Sequence, residues 1–136
     1  MAELVSAHDT TPLADHHMID LLDDAGELPW PDVGPDAPWF QTKPNAAFLT
    51  TRATGEQVPV RVEVWDGEPP ASGGEAASGL LTLTSGTISV NFLVDAEDAV
   101  DVEVGPPGAY HARAYAAGRT DGSQPESYLV QFWPVE

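Results

Sequence analysis

The segment Val58–Trp65 reads VPVRVEVW and places valine at every second position. A period of two is typical of a β-strand with one face on a core and the other toward water or a second layer. The same alternation recurs at residues 87–94, 99–104 and 127–133. These segments predict strands, and the side chains that we expect to be mostly buried are Val60, Val62, Phe92, Val102, Tyr110, Val130 and Phe132.

Turn signals separate the alternating segments. Asp66–Pro70 ends one strand, and Ser85-Gly86 lies between two strands as a short hairpin connection. Gly105–Gly108 reads GPPG, which suits a type II turn, and residues 118–125 link the last two strands. Short strands with Gly/Pro turns between them predict an all-β protein. We expect residues 1–136 to form a single-domain antiparallel β-sandwich of eight or nine strands.

Residues 12–26 are compatible with two structures. Thr11 as a cap, Pro12 as the first helical residue and Gly26 as the stop describe a helix. A strand would instead place Ile19 and Leu21 on one face together with His17. The local pattern slightly favours the helix.

Residues 28–40 contain four prolines, which exclude a regular helix or a central strand. We therefore predict an ordered loop that lies across the body of the protein. Trp30, Trp39 and Phe40 are expected to anchor this loop by burial. If these rings are exposed as a patch, they instead indicate a partner-binding surface.

The chain has 136 residues, 22 acidic and five basic residues, a net charge of −17 and no cysteine. The absence of cysteine excludes disulfides, thiolate metal sites and a cysteine nucleophile. The charge argues against direct binding of nucleic acid or an anionic membrane. There is no apolar run of about 20 residues and no basic residue before Lys43, so we expect neither a membrane span nor a signal peptide, and a cytoplasmic location.

Five acids fall within nine residues, at Asp95, Glu97, Asp98, Asp101 and Glu103. On a strand, Asp101 and Glu103 share one face about 7 Å apart, which is roughly the phosphate spacing along one nucleic-acid strand. The segment is therefore a candidate mimic of a phosphate backbone. A solvated polar strand face and a calcium site between loops are the alternatives.

The sequence gives little support for catalysis or for a structural metal. The densest set of metal-binding residue types is His8, Asp9, Asp15, His16, His17 and Asp20. Adjacent histidines on a strand point to opposite sides, and no His-Glu-x-x-His spacing is present. We interpret the set as a polar strand edge, and we expect no metal and no cofactor. The nucleophile elbow, the phosphate loop and the dinucleotide fingerprint are also absent from the sequence.

Several segments together resemble a known family. They are Ser85–Val90, Val100–Val102, Pro107–Tyr110 and Tyr128–Pro134, with Ala47–Leu49, Val58–Trp65 and His16–Ile19 similar in order and spacing. This arrangement resembles the competence protein J family, small β-sandwich proteins whose namesake inhibits a DNA-entry nuclease. The resemblance implies a strand at residues 16–23 and an acidic surface that faces the basic cleft of a nuclease.

We therefore expect a non-enzymatic acidic protein that inhibits or shields a basic partner, above all a nuclease or a nuclease-type toxin. The expected partner-binding residues are Asp95, Glu97, Asp98, Asp101, Glu103, Trp30 and Trp39. The alternative is an accessory or structural β-sandwich module that binds a small molecule or calcium.

Overall fold

A computed structural model describes residues 2–94, 97, 99–120, 122 and 124–135. Within these residues the chain forms twelve strands and no helix. The strands are β1 (Leu4–Thr10), β2 (Leu13–Ala14), β3 (Met18–Leu22), β4 (Phe40–Lys43), β5 (Ala46–Thr50), β6 (Glu56–Gln57), β7 (Val60–Trp65), β8 (Glu75–Leu83), β9 (Thr87–Val90), β10 (Val100–Glu103), β11 (Gly108–Ala117) and β12 (Ser127–Pro134).

Ten of the strands form two five-stranded sheets. The first sheet has the order β1-β7-β12-β11-β8, and the second has the order β10-β9-β3-β5-β4. All neighbours in the sheets are antiparallel except β12 and β7, which run parallel. The predicted all-β sandwich is confirmed. The described strands outnumber the expected eight or nine because short strands such as β2 and β6, of two residues each, carry no period-two pattern.

The main core lies between the inner faces of the two sheets. Val60 and Val62 of β7 are at most 1% exposed, and Val102, Tyr110, Val130 and Phe132 are also buried, as predicted. Phe92 is only half-buried, because β9 ends at Val90 and the chain turns at Asn91. Asn91 has a φ of 68°, a conformation that asparagine tolerates better than most residues. The strand prediction is therefore right for 87–90 and wrong for 91–94.

Residues 12–26 contain a strand rather than a helix. Met18–Leu22 form β3, which pairs with β5 and β9 inside the second sheet. The preceding turn is closed by two backbone hydrogen bonds between Asp15 and Met18, of 3.2 and 3.0 Å. His16 and His17 occupy its centre with φ of 53° and 62°, as in the hairpin turn whose twist matches that of its strands. The two histidines thus lie in an exposed turn, not on a strand as expected.

The carboxylate of Asp23 joins the end of β3 to the turn that leads into β9. Asp23 follows β3, is fully buried, and accepts hydrogen bonds from Ser85 N (2.7 Å), Ser85 Oγ (2.8 Å) and Gly86 N (3.1 Å), with Ala25 N at 3.2 Å. Burial alone would raise the pKa of Asp23, but these donors lower it below the ordinary value. The carbonyl of Gly86 in turn accepts from Val104 N at 2.8 Å.

The turn leaves no room for a side chain at residue 86. Gly86 has a φ of 88°, and a Cβ placed there would lie 1.8 Å from the carbonyl oxygen of Gly105. Ser85-Gly86 is a turn, but the predicted hairpin connection is wrong. β8 pairs with β11 in the first sheet and β9 pairs with β10 and β3 in the second, so this turn carries the chain from one sheet to the other. Its backbone is fixed by Asp23 on one side and by residues 104–105 on the other.

We predict that Asp23→Ala lowers the free energy of unfolding by about 2 kcal/mol at pH 7, because it removes the acceptor shared by the N–H groups of Ser85, Ala25 and the buried Gly86. The matched control is Asp24→Ala, which removes an exposed carboxylate and should change stability by less than about 0.5 kcal/mol. Urea denaturation measures both. Because folding lowers the pKa of Asp23, its contribution is present above the ordinary pKa near 3.8 and is lost in stronger acid. Equal denaturation midpoints for the two variants would contradict this role.

Candidate functional site

One row of paired residues runs across all five strands of the second sheet. Asp101 pairs with Ser89, Ser89 with Leu22, Leu22 with Ala46, and Ala46 with Lys43. Directly opposed side chains in a sheet point to the same side. Because the alternate residues Ile19, Leu21 and Val102 belong to the main core, this row lies on the outer face of the second sheet.

The segment between β3 and β4 covers one half of that outer face. Leu28 packs against a small second cluster formed by Leu22, Ala46 and Phe48. Asp32 N donates to Gln41 Oε1 at 2.7 Å, Gln41 Nε2 donates back to Asp32 O at 2.9 Å, and Lys43 Nζ lies 3.0 Å from the Asp32 carboxylate. The predicted loop at 28–40 is thus ordered and anchored over β3, β5 and β4, and its last residue, Phe40, begins β4.

The other half of the outer face ends at β10, which carries Asp101 and Glu103. We define these two residues, together with Glu97 of the connection that precedes β10, as the acidic edge. All three residues are exposed. Val102 between the first two is fully buried, so Asp101 and Glu103 point outward together, as the alternation predicted. Ser89 Oγ donates to Asp101 at 2.5 Å, which fixes one of the two carboxylates. Asp95 and Asp98, the other acids of the predicted cluster, lie outside the described residues.

The two predicted tryptophans have different environments. Trp30 is 80% exposed, so the expectation that it anchors the loop by burial is wrong; Leu28, Asp32 and Phe40 hold the loop instead. Trp39 is partly buried, with its ring 6.1 Å from the rings of Phe40 and Tyr128 and with the Arg119 guanidinium 5.3 Å above it. Only Trp30 therefore presents its ring to solvent, on the loop that crosses the same face as the acidic edge.

The five basic residues are held by contacts within the protein. Lys43 pairs with Asp32, Arg119 with Glu75, and Arg52 Nε donates to Gly118 O at 3.0 Å. On the outer face of the first sheet, Arg61 pairs with Asp9 and Glu63, and Arg113 bonds Gln131 and lies between the rings of Tyr115 and Trp133. The surface charge that remains is dominated by carboxylates.

Two buried carboxylates belong to structural networks that the sequence did not indicate. Glu63 is 9% exposed and accepts from Arg61, Trp65 and Gln131. Glu126 is 6% exposed and accepts from Tyr128 OH and from the backbone N–H groups of residues 52 and 53. With 22 acids in the chain, no local signal distinguishes these two. Some of their donors are two residues away, but Gln131 of Glu63 and the N–H groups of residues 52 and 53 of Glu126 come from distant parts of the sequence.

A buried aspartate holds the turn that leads toward Glu97. Asp20 of β3 is 2% exposed, and Leu93 N donates to both of its carboxylate oxygens at 3.3 Å. Asp20 O also accepts from Asn91 N at 2.6 Å. Burial raises the pKa of Asp20 to about 6, although the backbone donors partly oppose this shift.

We predict that Asp20→Asn raises the free energy of unfolding at pH 7.5 by about 2–3 kcal/mol, because it removes a buried charge while keeping an acceptor for Leu93 N–H. The folded-state pKa lies above the ordinary value of 3.8, so the protonated carboxyl suffers no such penalty below pH 4, and the penalty grows as the pH rises through about 6. Thermal unfolding at pH 4 and pH 7.5 measures the gain, with Asp24→Asn as an exposed control. A gain that is independent of pH would refute this interpretation.

The histidines and aspartates that form the densest set of metal-binding residue types in the sequence lie in three different places. His8 and Asp9 lie on β1, Asp15, His16 and His17 lie at the hairpin turn, and Asp20 is buried in β3. Within the described ranges, no group of three or more His, Cys, Asp or Glu side chains could hold a metal ion. Within the part of the chain that the structure describes, no helix is long and apolar enough to cross a bilayer.

No protein-family model matches the chain, and no curated protein matches its sequence. Among solved structures, the chain superposes on the crystal structure of ComJ from Bacillus subtilis, described as an inhibitor of the DNA-degrading activity of NucA. The TM-score is 0.72 over 99% of both chains. The fold resembles that of ComJ. The sequence identity is 11%, so the comparison confirms the resemblance to the competence protein J family as a likeness of fold.

Proposed function

We propose that this protein is a non-enzymatic inhibitor that binds a basic protein partner, a nuclease or a nuclease-type toxin, and excludes nucleic acid from it. The observation that carries the proposal is the exposed pair Asp101 and Glu103, which point outward together from the edge strand of a protein with a net charge of −17. The ComJ-like fold supports the inhibitor role, because ComJ itself inhibits a nuclease.

The geometry suits competition with a nucleic-acid strand. Residues two apart on a strand are separated by about 7 Å, close to the spacing of successive phosphates, so two carboxylates can occupy two phosphate subsites. A cleft that binds DNA is lined by cations, and a negative field steers such a surface into contact at long range. Because the protein's own basic side chains are held in internal contacts, they offer little competition for these carboxylates.

Trp30 supplies the apolar part of the proposed interface. Its ring is 80% exposed, and the neighbouring Val33 is 85% exposed on the same loop. Tryptophan is enriched among residues that dominate binding energy, because one ring removes a large apolar area from water when it enters a pocket. Long-range attraction would thus come from the acidic edge, and short-range affinity from the Trp30 loop.

We predict that Asp101→Asn combined with Glu103→Gln weakens partner binding at least tenfold at low salt, while stability is unchanged or slightly higher because self-repulsion falls. The charge-matched control is Glu3→Gln with Glu68→Gln, two exposed acids outside the second sheet. Glu63 is unsuitable as a control because it is buried and hydrogen-bonded. The partner is a nuclease that is identified by pull-down or is encoded beside the gene of this protein. The affinity of each variant for this nuclease is measured at 0.05 and 0.3 M salt.

In the unaltered protein, association should slow sharply as salt rises, since screening limits the field to about 10 Å at 0.1 M. An equal loss of affinity in the two double variants would indicate a diffuse effect of net charge rather than a specific binding site. Binding that does not depend on salt would exclude phosphate mimicry.

We predict that Trp30→Ala weakens binding of the same nuclease by about tenfold or more, mainly through faster dissociation, and leaves the melting temperature unchanged. The control is Leu80→Ala, which shortens a 60%-exposed apolar side chain on the other sheet. Surface plasmon resonance gives both rate constants. If the dissociation rates are the same for Trp30→Ala and Leu80→Ala, the Trp30 loop is not part of the interface.

A further inference from the structure

A polar cleft of about 520 Å³ opens at one end of the sandwich. It lies where the end of β1, the β2–β6 ribbon and the connection between β9 and β10 meet. Its lining residues are Thr10, Thr11, Leu13, Gln57, Asn91 and Val100, together with Pro12, Val90, Val94 and Ala99. The cleft is therefore next to the acidic edge, since Val100 precedes Asp101 directly.

Asn91 is the unusual residue in this lining. It is 7% exposed, its Nδ2 donates to Leu13 O at 3.0 Å, and its backbone N–H donates to Asp20 O. Among the described residues, however, Asn91 Oδ1 has no hydrogen-bond partner, although it is buried. A buried acceptor without a donor costs free energy in the unbound protein, and a ligand that supplies a donor recovers it.

The chemistry of the cleft selects a ligand rich in donors. Thr10, Thr11 and Gln57 contribute side-chain oxygens that can accept, and Asn91 adds the unpaired Oδ1. None of the five basic residues is among the lining residues. The exposed carboxylates of Glu56 and Glu97 lie within two residues of lining positions in the chain. A guanidinium group, with five N–H donors, no acceptor and a fixed positive charge, fits this environment.

We infer that the cleft receives an arginine side chain of the basic partner, an inference that rests on the proposed function and locates a specific contact within it. The stem would lie along Leu13 and Val100 while the guanidinium meets the threonine hydroxyls and Asn91 Oδ1. Because Oδ1 is shielded from solvent, contact requires a small shift of the turn 91–94. Leu93 N–H and Asp20 hold that turn, and Val94 N donates to Asn91 O at 3.2 Å.

The first test uses ethylguanidinium as the probe and ethylurea, its neutral analogue, as the control, each titrated into isotope-labelled full-length protein. We expect saturable amide shifts at Thr10, Thr11, Asn91 and Leu93 with ethylguanidinium and none there with ethylurea. Equal shifts with both compounds would show that binding does not require the positive charge, and this result would overturn the proposal. Shifts scattered over the acidic surface, for example at Asp32 and Asp36, would show non-specific ion binding and would also overturn it.

The second test uses variants of the cleft. Thr11→Val removes a hydroxyl without changing shape, and Asn91→Gly removes the amide while tolerating the positive φ of that position. We expect each to weaken binding of the nuclease about tenfold, as for loss of a hydrogen bond to a charged donor. The control Thr82→Val removes an exposed hydroxyl on β8 and should have no effect.

Melting temperatures identify any variant that has lost its fold, and Thr11→Val tests the cleft if Asn91→Gly does not fold. Unchanged affinity in Thr11→Val, with loss of affinity in the Asp101/Glu103 double variant, would reject the cleft and leave the proposed function intact. A nuclease that does not bind the unaltered protein would reject the proposed function itself, while the ethylguanidinium titration would still report on the cleft.

Discussion

The buried carboxylate of Asp23 is the interaction on which the second sheet depends. A charged group with no exposure is stable only when its oxygens are fully bonded, and Asp23 has donors from the turn at residues 85–86 and from Ala25. It therefore couples the end of β3 to the start of β9. β9 in turn carries β10, whose register places Asp101 and Glu103 on the outer face. The position of the acidic edge thus depends on the hydrogen bonds of Asp23.

The two faces of the sandwich use their charged residues differently. On the outer face of the first sheet, Glu63, Gln131 and Arg113 form a continuous hydrogen-bonded row across three strands. The charged groups there are therefore engaged in contacts within the protein. On the second sheet, Asp101 meets only a serine hydroxyl in the described structure and stays exposed. The same residue types therefore stabilise one face and leave the other with an unbalanced negative field.

Much of the fold could be predicted because the valine alternation of β7 and the Gly/Pro turns are local signals. The parallel pairing of β7 with β12 could not be predicted from the sequence, because no local pattern specifies which distant strand is a neighbour. Residues 12–26 form no helix despite their helix signals, because β3 pairs with both β5 and β9 and its Ile19 and Leu21 are fully buried in the main core. Trp30 was expected to anchor the loop at residues 28–40 by burial, and only the tertiary structure shows that Leu28 and Asp32 anchor that loop.

The strand order of the first sheet has a consequence for the way the protein is made. β12, the last described strand, lies at the centre of that sheet, between β7 and β11. Until this strand has left the ribosome, β7 and β11 both present one unpaired backbone edge, and Val60 and Val62 lack their β12 neighbours Tyr128 and Val130. Synthesis at about 5–20 residues per second leaves those edges open for seconds, a period in which unprotected strands are prone to join other chains. The abundant negative charge gives nascent chains a mutual repulsion during that interval.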